Sequence, residues 1–416
     1  MKQIKSEKYW KKGKELVIDG TSLFSRGPRI SVEGVAPKYI SKAKGSRFIT
    51  VDEEEYIDYG MAVGSVLLGH GYIDNDVFKR IKDKGVNLSL LSPYQVELAE
   101  RLHKNIPSCG KLKFLSSGSE ATESAVRIAR IYTGRDKLIR DHYHGWISWC
   151  CPTNDGVPSC YYDLSIQKEE EDIEWFKEKL EKEDVAAVIL EPMKIDINSL
   201  EKRSNYLTSL KKLCDKNGTM LIFDEVACGY RFDVGGAQKL LNVTPHISAF
   251  GKSISNGYPL SVVCCSYDIG EKVEKKLFVS STFGGNPLAL SAGITTLDYI
   301  EDLKVIRYIA SEGKKLRDEI NKAVKVNDIE NVFISGNKHR LGWNVNNWDL
   351  YSLLIQEFLF NKIFFGWEIK NSFSHSKSDN LNTIDVAYDV FRICREAIEK
   401  KSINEYLKGN PIRPIL

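Results

Sequence analysis

A chain of 416 residues is too long for one small core and too short for three ordinary domains, which predicts one large and one or two small domains. Lys and Arg total 59 against 56 Asp and Glu, a formal charge of +3 with no block of like sign, so neither nucleic acid nor an anionic membrane is an expected partner. The most apolar windows, Gly60 to Leu68 and Tyr258 to Cys265, fall well short of the roughly 18 to 20 residues needed to cross a bilayer, and no membrane span is expected.

The first stretch, Met1 to Lys14, is polar and Lys-rich with no apolar run behind it, unlike a secretory or transit peptide, which predicts a cytoplasmic protein. The nine cysteines include the adjacent pairs Cys150–Cys151 and Cys264–Cys265, which lack the two-residue spacing of metal or redox motifs; reduced, mostly buried thiols are expected, and no metal. From Ser46 to Tyr59 an apolar–polar alternation predicts a hairpin, and Ser92 to Lys104 places Val96, Leu98, Ala99 and Leu102 on one helical face. Between about 110 and 300, helix-period segments alternate with short apolar runs: Lys113 to Leu115, Val185 to Leu190, Thr219 to Phe223, Ile247 to Phe250 and Leu260 to Cys265. That alternation predicts an α/β domain with helices on a mostly parallel sheet. From Leu303 on, helical stretches at Ile306 to Val324 and Ile384 to Lys400 mixed with short strands predict a smaller α+β domain.

In such a sheet ligands sit beyond the carboxyl ends of the strands, so the polar residues that follow the apolar runs carry the chemistry. Ser116-Ser117-Gly118-Ser119-Glu120 follows one run and opens a helix bearing Ala121, Ala125, Ile128, Ala129 and Tyr132. A Gly-containing turn at a helix N-terminus offers backbone N–H groups, hydroxyls and the positive end of the dipole to a phosphate, although the same pattern also serves as a plain cap. Leu221-Ile222-Phe223 ends in Asp224 and Glu225, and a semi-buried acid there calls for a cation. Arg231, a helix cap or a protonated heterocyclic nitrogen would each answer for Asp224. Ala249-Phe250-Gly251 precedes Lys252 among small and apolar residues, where desolvation favours a neutral amine free to attack an aldehyde; a snorkelling surface lysine is the alternative.

Phosphate cradle, acid and lysine in that order, the last two 28 residues apart, are jointly far more specific than any one of them. At these residues the sequence resembles the class III aminotransferases of fold type I, within them the glutamate-1-semialdehyde aminomutase-like branch, over about residues 20 to 400 and most closely from 114 to 290. Tyr56-Ile57-Asp58-Tyr59, Leu68-Gly69-His70-Gly71, Ala129-Arg130 through Arg135-Asp136, Tyr143-His144-Gly145-Trp146, Gly229-Tyr230-Arg231 and Thr282-Phe283-Gly284-Gly285-Asn286-Pro287 carry the match.

The resemblance implies a PLP-dependent transferase fold type I: a large domain, residues 61–300, and a small domain built from an N-terminal segment, 1–60, and a C-terminal segment, 301–416. It implies pyridoxal 5′-phosphate (PLP) as cofactor, Lys252 as the Schiff-base lysine and Asp224 as the acid that keeps the pyridine nitrogen protonated. Ser117, Gly118 and Ser119 would hold the phosphate, Tyr143 would stack on one ring face beside His144, and Val226 would lie on the other face. Glu191 opens the turn that contacts the ring hydroxyl in the family, but Glu191-Pro192-Met193-Lys194-Ile195-Asp196 departs from the usual Gly/Asn-containing turn. The family further implies a homodimer in which Thr282 reaches the partner's phosphate, and a small-molecule amino donor and carbonyl acceptor as partners.

Substrate residues follow less directly. Ser25 and Arg26, in the loop Asp19 to Pro28, stand near the family's carboxylate-gripping Ser and Arg, and Glu368 and His375 lie near its substrate-side C-terminal strand, a solvated acid and a packed imidazole being the alternatives for these two. The end of the chain, Tyr406 to Pro414, is similar to enzymes of bacterial surface-polysaccharide biosynthesis, which favours an aminotransferase acting on a sugar-like or other small carbonyl substrate. A glutamate-1-semialdehyde 2,1-aminomutase is the alternative, and a non-catalytic PLP-binding regulatory protein is a more remote one that retention of Lys252 with Asp224 argues against.

Overall fold

In a computed structural model, residues 4–27, 30–169, 171–182, 184–195, 197, 199–366 and 368–413 are described; Pro28, Asp196 and Pro414, which fall in segments singled out above, lie outside them. The chain divides into two compact units, Met1–Tyr72 with Arg307–Ile415, and Ile73–Ile306.

In the first unit, β1 (Ile40–Lys44), β2 (Arg47–Thr50) and β3 (Glu55–Asp58) form an antiparallel meander in which Phe48 faces Tyr56. The expected hairpin is therefore β2–β3.

The second unit is built on seven strands: β4 (Lys111–Leu115), β5 (Lys137–Arg140), β6 (Ser165–Gln167), β7 (Val185–Leu190), β8 (Met220–Glu225), β9 (Ile247–Phe250) and β10 (Ser261–Cys265), in the order β4-β10-β9-β8-β7-β5-β6. Only β10 runs against its neighbours; the other six point the same way. Every residue of β7, β8, β9 and β10 is buried, as expected of strands covered on both faces. The two faces are distinct. On one, Ala121, Ala125 and Ile128 of the helix Gly118–Thr133 pack with Ile222, Ala249 and Val263; on the other, Leu207 and Leu210 of the helix Leu200–Lys216 pack with Leu221 and Phe223. Burying each of these larger aliphatic or aromatic side chains contributes about 1.5 to 3 kcal/mol. Because side chains alternate along a strand, Asp224 continues the face of Ile222 toward the helix Gly118–Thr133, and Glu225 continues the face of Phe223.

The C-terminal part returns to the first unit with the hairpin β11 (Val332–Asn337) and β12 (Arg340–Val345), and with β13 (Ile363–Phe364), which joins β3 in parallel. Residues from both ends of the chain thus share one core, in which Phe48, Tyr56, Leu354, Phe358 and Phe391 are buried. The mostly parallel α/β sheet and the α+β unit agree with the fold expected from sequence.

Candidate active site

Because β4, β5, β7, β8 and β9 run the same way, their carboxyl ends deliver Ser116–Ser119, Asp141–His144, Glu191, Asp224 and Gly251–Lys252 to one edge of the sheet. Side-chain contacts tie these ends together. Ser261, opening β10, donates from Oγ to the carbonyl of Ser117 at 2.7 Å, and Thr122 donates from Oγ1 to the carbonyl of His144 at 2.8 Å.

Ser117 is the N-cap of the helix Gly118–Thr133, accepting from the Glu120 N–H at 3.3 Å while the Glu120 carboxylate accepts from the N–H groups of Ser116 and Ser117 at 2.8 and 2.9 Å. Sequence reasoning passed over this capping box, although Ser117-Gly118-Ser119-Glu120 spells it out. It leaves Gly118 and Ser119 in the first turn, where helix geometry provides no intrahelical acceptor for their N–H groups.

Two glycines shape the floor. A Cβ on Gly118 would lie 2.7 Å from Val226 Cγ1, and one on Gly145, whose φ is +132°, would lie 2.6 Å from Ser119 Oγ. Gly251 closes against the same valine: a Cβ there would be 3.4 Å from Val226 Cγ1 and 3.7 Å from Gly118 Cα. Lys252 follows at once, half-buried, with its backbone in the left-handed region at φ 46°, a costly conformation for a non-glycine residue.

Asp224 is buried and accepts from the Val226 N–H at 3.0 Å through Oδ1, while Oδ2 lies 2.7 Å from His144 Nδ1. The other ring nitrogen of His144, Nε2, is 2.8 Å from Asp141 Oδ1. His144 therefore contacts Asp224 directly, an arrangement that sequence reasoning missed. Asp141 in turn sits 2.8 Å from His142 Nδ1, an ion pair without hydrogen-bond alignment, and His142 Nε2 is 3.2 Å from Glu191 Oε2. Burial works against charge on both imidazoles, yet their carboxylate partners dominate: Asp141 and Glu191 hold His142 up to about 10, and Asp141 and Asp224 raise His144. Burial likewise pushes Asp141 up, but His142 and His144 hold it well below the usual carboxylate range.

Glu225, one residue from Asp224, has a different task. Its carboxylate accepts from the N–H groups of Ala237 and Gln238 at 2.8 and 2.9 Å, capping the helix Ala237–Leu241 on the opposite face of the sheet. Complete burial pushes it up to about 7 despite those donors. A carboxyl raised in the folded state costs stability as pH climbs from its unfolded value toward 7, and above 7 the loss is complete. Between pH 5 and 8 this linkage amounts to about 2 to 3 kcal/mol. Urea unfolding of wild type and Glu225→Gln at both pH values should show the difference between them shifting by that amount in favour of the variant; a pH-independent difference would contradict the assignment.

Tyr143 is exposed beside His144. Thr282 is exposed, its carbonyl accepting from Asn87 Nδ2 at 3.4 Å, and the adjoining Ser281 donates from Oγ to Glu120 Oε1 at 3.2 Å. In the first unit, Ser25 and Arg26 lie in the turn Phe24–Arg26 with Arg26 exposed. Glu368 is gripped by Arg340 Nε and a terminal guanidinium nitrogen at 2.6 and 2.7 Å and by Lys370, which hold it well below the usual range against the upward push of burial. His375 is a packed imidazole: burial lowers it to about 4, and its Nδ1 accepts from the Ser372 N–H at 3.0 Å.

The site fits a phosphorylated, nitrogen-containing ring on its own geometry: first-turn N–H groups at a helix start, a floor from which Cβ atoms are excluded, a carboxylate at the end of β8 and a lysine after β9. Comparison with known proteins agrees. The family model described as Aminotransferase class-III matches residues 31–338. A 3-aminobutyryl-CoA aminotransferase of Cloacimonas acidaminovorans (strain Evry) is 34% identical over 332 residues, 78% of this chain and 80% of that protein. A glutamate-1-semialdehyde 2,1-aminomutase of Fusobacterium nucleatum subsp. nucleatum is 33% identical over 356 residues, 81% of this chain and 79% of that protein. Among solved structures, the FumI protein of Sphingopyxis sp. MTA144, in its PLP internal aldimine form, superposes with a TM-score of 0.88 at 21% identity, covering 97% of this chain and 99% of that one.

Proposed function

Since the chain belongs to the class III aminotransferases, enzymes that work with PLP, we propose that it transfers an amino group from a small-molecule donor to a sugar-like or other small carbonyl substrate, with Lys252 as covalent anchor and proton carrier. The observation that carries this reading is the convergence of Gly118, Val226 and Gly251–Lys252 beside the buried Asp224 carboxylate. When bound, PLP supplies an electron sink for a carbanion at the carbon bearing the nitrogen.

The protein's part is binding, orientation and proton transfer. The N–H groups of Gly118 and Ser119 and the hydroxyls of Ser117 and Ser119 would hold the phosphate at the helix start. Asp224 would keep a proton on the ring nitrogen, Val226 would support one ring face and Tyr143 would stack on the other, with Glu191 at the ring's edge and His144 behind Asp224. Freed from the cofactor, the Lys252 amine would take the proton from the substrate carbon and return it one position along, as general base and then general acid. Ser25, Arg26 and Glu368 are the proposed substrate contacts. We take the working form as a homodimer in which Thr282 serves the partner's phosphate; the exposure of Thr282, Phe283, Leu90 and Leu91 supports it.

The similarity of the C-terminal segment to polysaccharide enzymes supports the sugar-like substrate, and a role in surface-polysaccharide synthesis with it. A second reading, glutamate-1-semialdehyde 2,1-aminomutase, is favoured by the relatives of that name at 33% identity. The two separate cleanly. PLP-loaded protein given the semialdehyde alone should leave it unchanged, whereas a panel of amino acids should include a donor that converts the bound cofactor to its amine form. Turnover of the semialdehyde with no donor added would replace the leading reading with the second.

A further inference from the structure

His144 is completely enclosed, and each of its ring nitrogens faces a carboxylate oxygen: Nδ1 to Asp224 at 2.7 Å and Nε2 to Asp141 at 2.8 Å. A neutral imidazole carries one N–H and one acceptor nitrogen, so it can satisfy only one of two ionised carboxylates. Both contacts are met together when the ring carries two protons and one positive charge. Beyond it the signs keep alternating: Asp141, then His142, then Glu191, with Lys194 Nζ 3.4 Å from the second oxygen of Asp141. His142 is the member with solvent access, its side chain 34% exposed against 0 to 11% for His144, Asp141, Glu191 and Asp224. Trp149 stacks on His144 with 6.1 Å between ring centroids, and the Thr122 hydroxyl fixes the His144 carbonyl, so the imidazole is held in position as well as charged.

This arrangement answers a difficulty at Asp224. A buried carboxylate facing a pyridine nitrogen can pass between an ionic form, with the proton on nitrogen, and a neutral form, with the proton on oxygen; burial favours the neutral one. Only the ionic form leaves the ring with the positive charge that makes it an electron sink. A cation fixed on the far oxygen of Asp224 opposes protonation of that carboxylate and so returns the proton to nitrogen.

We propose that His144 is a positioning residue that, doubly hydrogen-bonded between Asp224 and Asp141, keeps the proton on the cofactor's ring nitrogen, and that Asp141, His142 and Glu191 form the relay that holds His144 in its doubly protonated state. The inference rests on the reading of Asp224 as the partner of the ring nitrogen.

The test uses the whole protein loaded with PLP labelled with 15N in the ring, and the same protein without cofactor carrying 15N-labelled histidine. Asp141→Asn keeps the shape of the contact but lets Nε2 of His144 accept a hydrogen bond, so the ring can be neutral. In the cofactor-free wild type both His144 nitrogens should give protonated-type signals at neutral pH, and in Asp141→Asn only one should. In the loaded protein the ring-nitrogen resonance should move in Asp141→Asn from pyridinium-like toward neutral pyridine. His142→Gln, at the exposed end where folding is least at risk, should move it the same way by a smaller amount. Asp224→Asn should move it furthest. If Asp224→Asn leaves the resonance pyridinium-like, the assignment of Asp224 itself fails. If Asp224→Asn moves it while Asp141→Asn and His142→Gln leave both sets of signals as in wild type, the relay alone is overturned.

Discussion

Lys252→Ala should bind PLP and yet lose amino transfer by about 10⁴-fold or more, because the proposed mechanism gives this one amine two tasks. The first is covalent attachment, which activates the cofactor for exchange with an incoming amine; the second is proton transfer at the substrate carbon, which by itself is worth about 10² to 10⁴. In the proposed arrangement the phosphate and the ring would be held elsewhere, by Gly118, Ser119, Val226 and Asp224, so cofactor affinity should fall far less than turnover. Alanine is the informative replacement. Lys252 sits at φ 46°, where alanine carries a backbone penalty similar to lysine's, whereas glycine would relax the turn and confuse the result with a change in stability. The loaded variant should also lack the visible absorption of lysine-linked PLP. A wild-type rate in Lys252→Ala would remove the mechanism, and failure to bind PLP would mean that the covalent bond, rather than the cradle, holds the cofactor.

What can be read from sequence follows from which signals are local. The strands β7, β8, β9 and β10 are buried on both faces and therefore appear as unbroken apolar runs, and the polar residues that end β8 and follow β9 single out Asp224 and Lys252 from sequence alone. The strands β5 and β6 escape notice because Lys137–Arg140 and Ser165–Gln167 are short, polar at their ends and only partly buried, near the edge of the sheet. The different tasks of Asp224 and Glu225 are out of reach from composition. They depend on which face of β8 each residue takes, and that is fixed by Ile222 facing one helical layer and Phe223 the other. The chain from Asp224 through His144, Asp141 and His142 to Glu191 is hidden for the same reason: it joins the ends of β5, β7 and β8, contacts separated by as many as 80 residues. Asp141-His142-Tyr143-His144 immediately after β5 is the available clue, being dense in titratable groups at the edge where ligands bind.

Asp224→Asn should lower turnover by about 10² to 10³, the range for removing a fixed electrostatic partner from a water-poor site. Asparagine fills the same volume and its carbonyl can still accept from the Val226 N–H, so the end of β8 should keep its shape. Its amide nitrogen would then face His144 Nδ1, and two donors cannot share that contact. His144 can relieve the conflict by giving up its Nδ1 proton and keeping the Nε2 hydrogen bond to Asp141, which removes one positive and one negative charge from the buried network together. The fold should therefore tolerate the change better than the chemistry does, with a melting temperature near that of wild type and a severe loss in turnover at saturating PLP. A carboxylate that served only to cap its own turn would behave the other way round, because asparagine also makes that hydrogen bond: turnover would stay within a few-fold of wild type, and Asp224 would have to be given up as the residue that charges the ring.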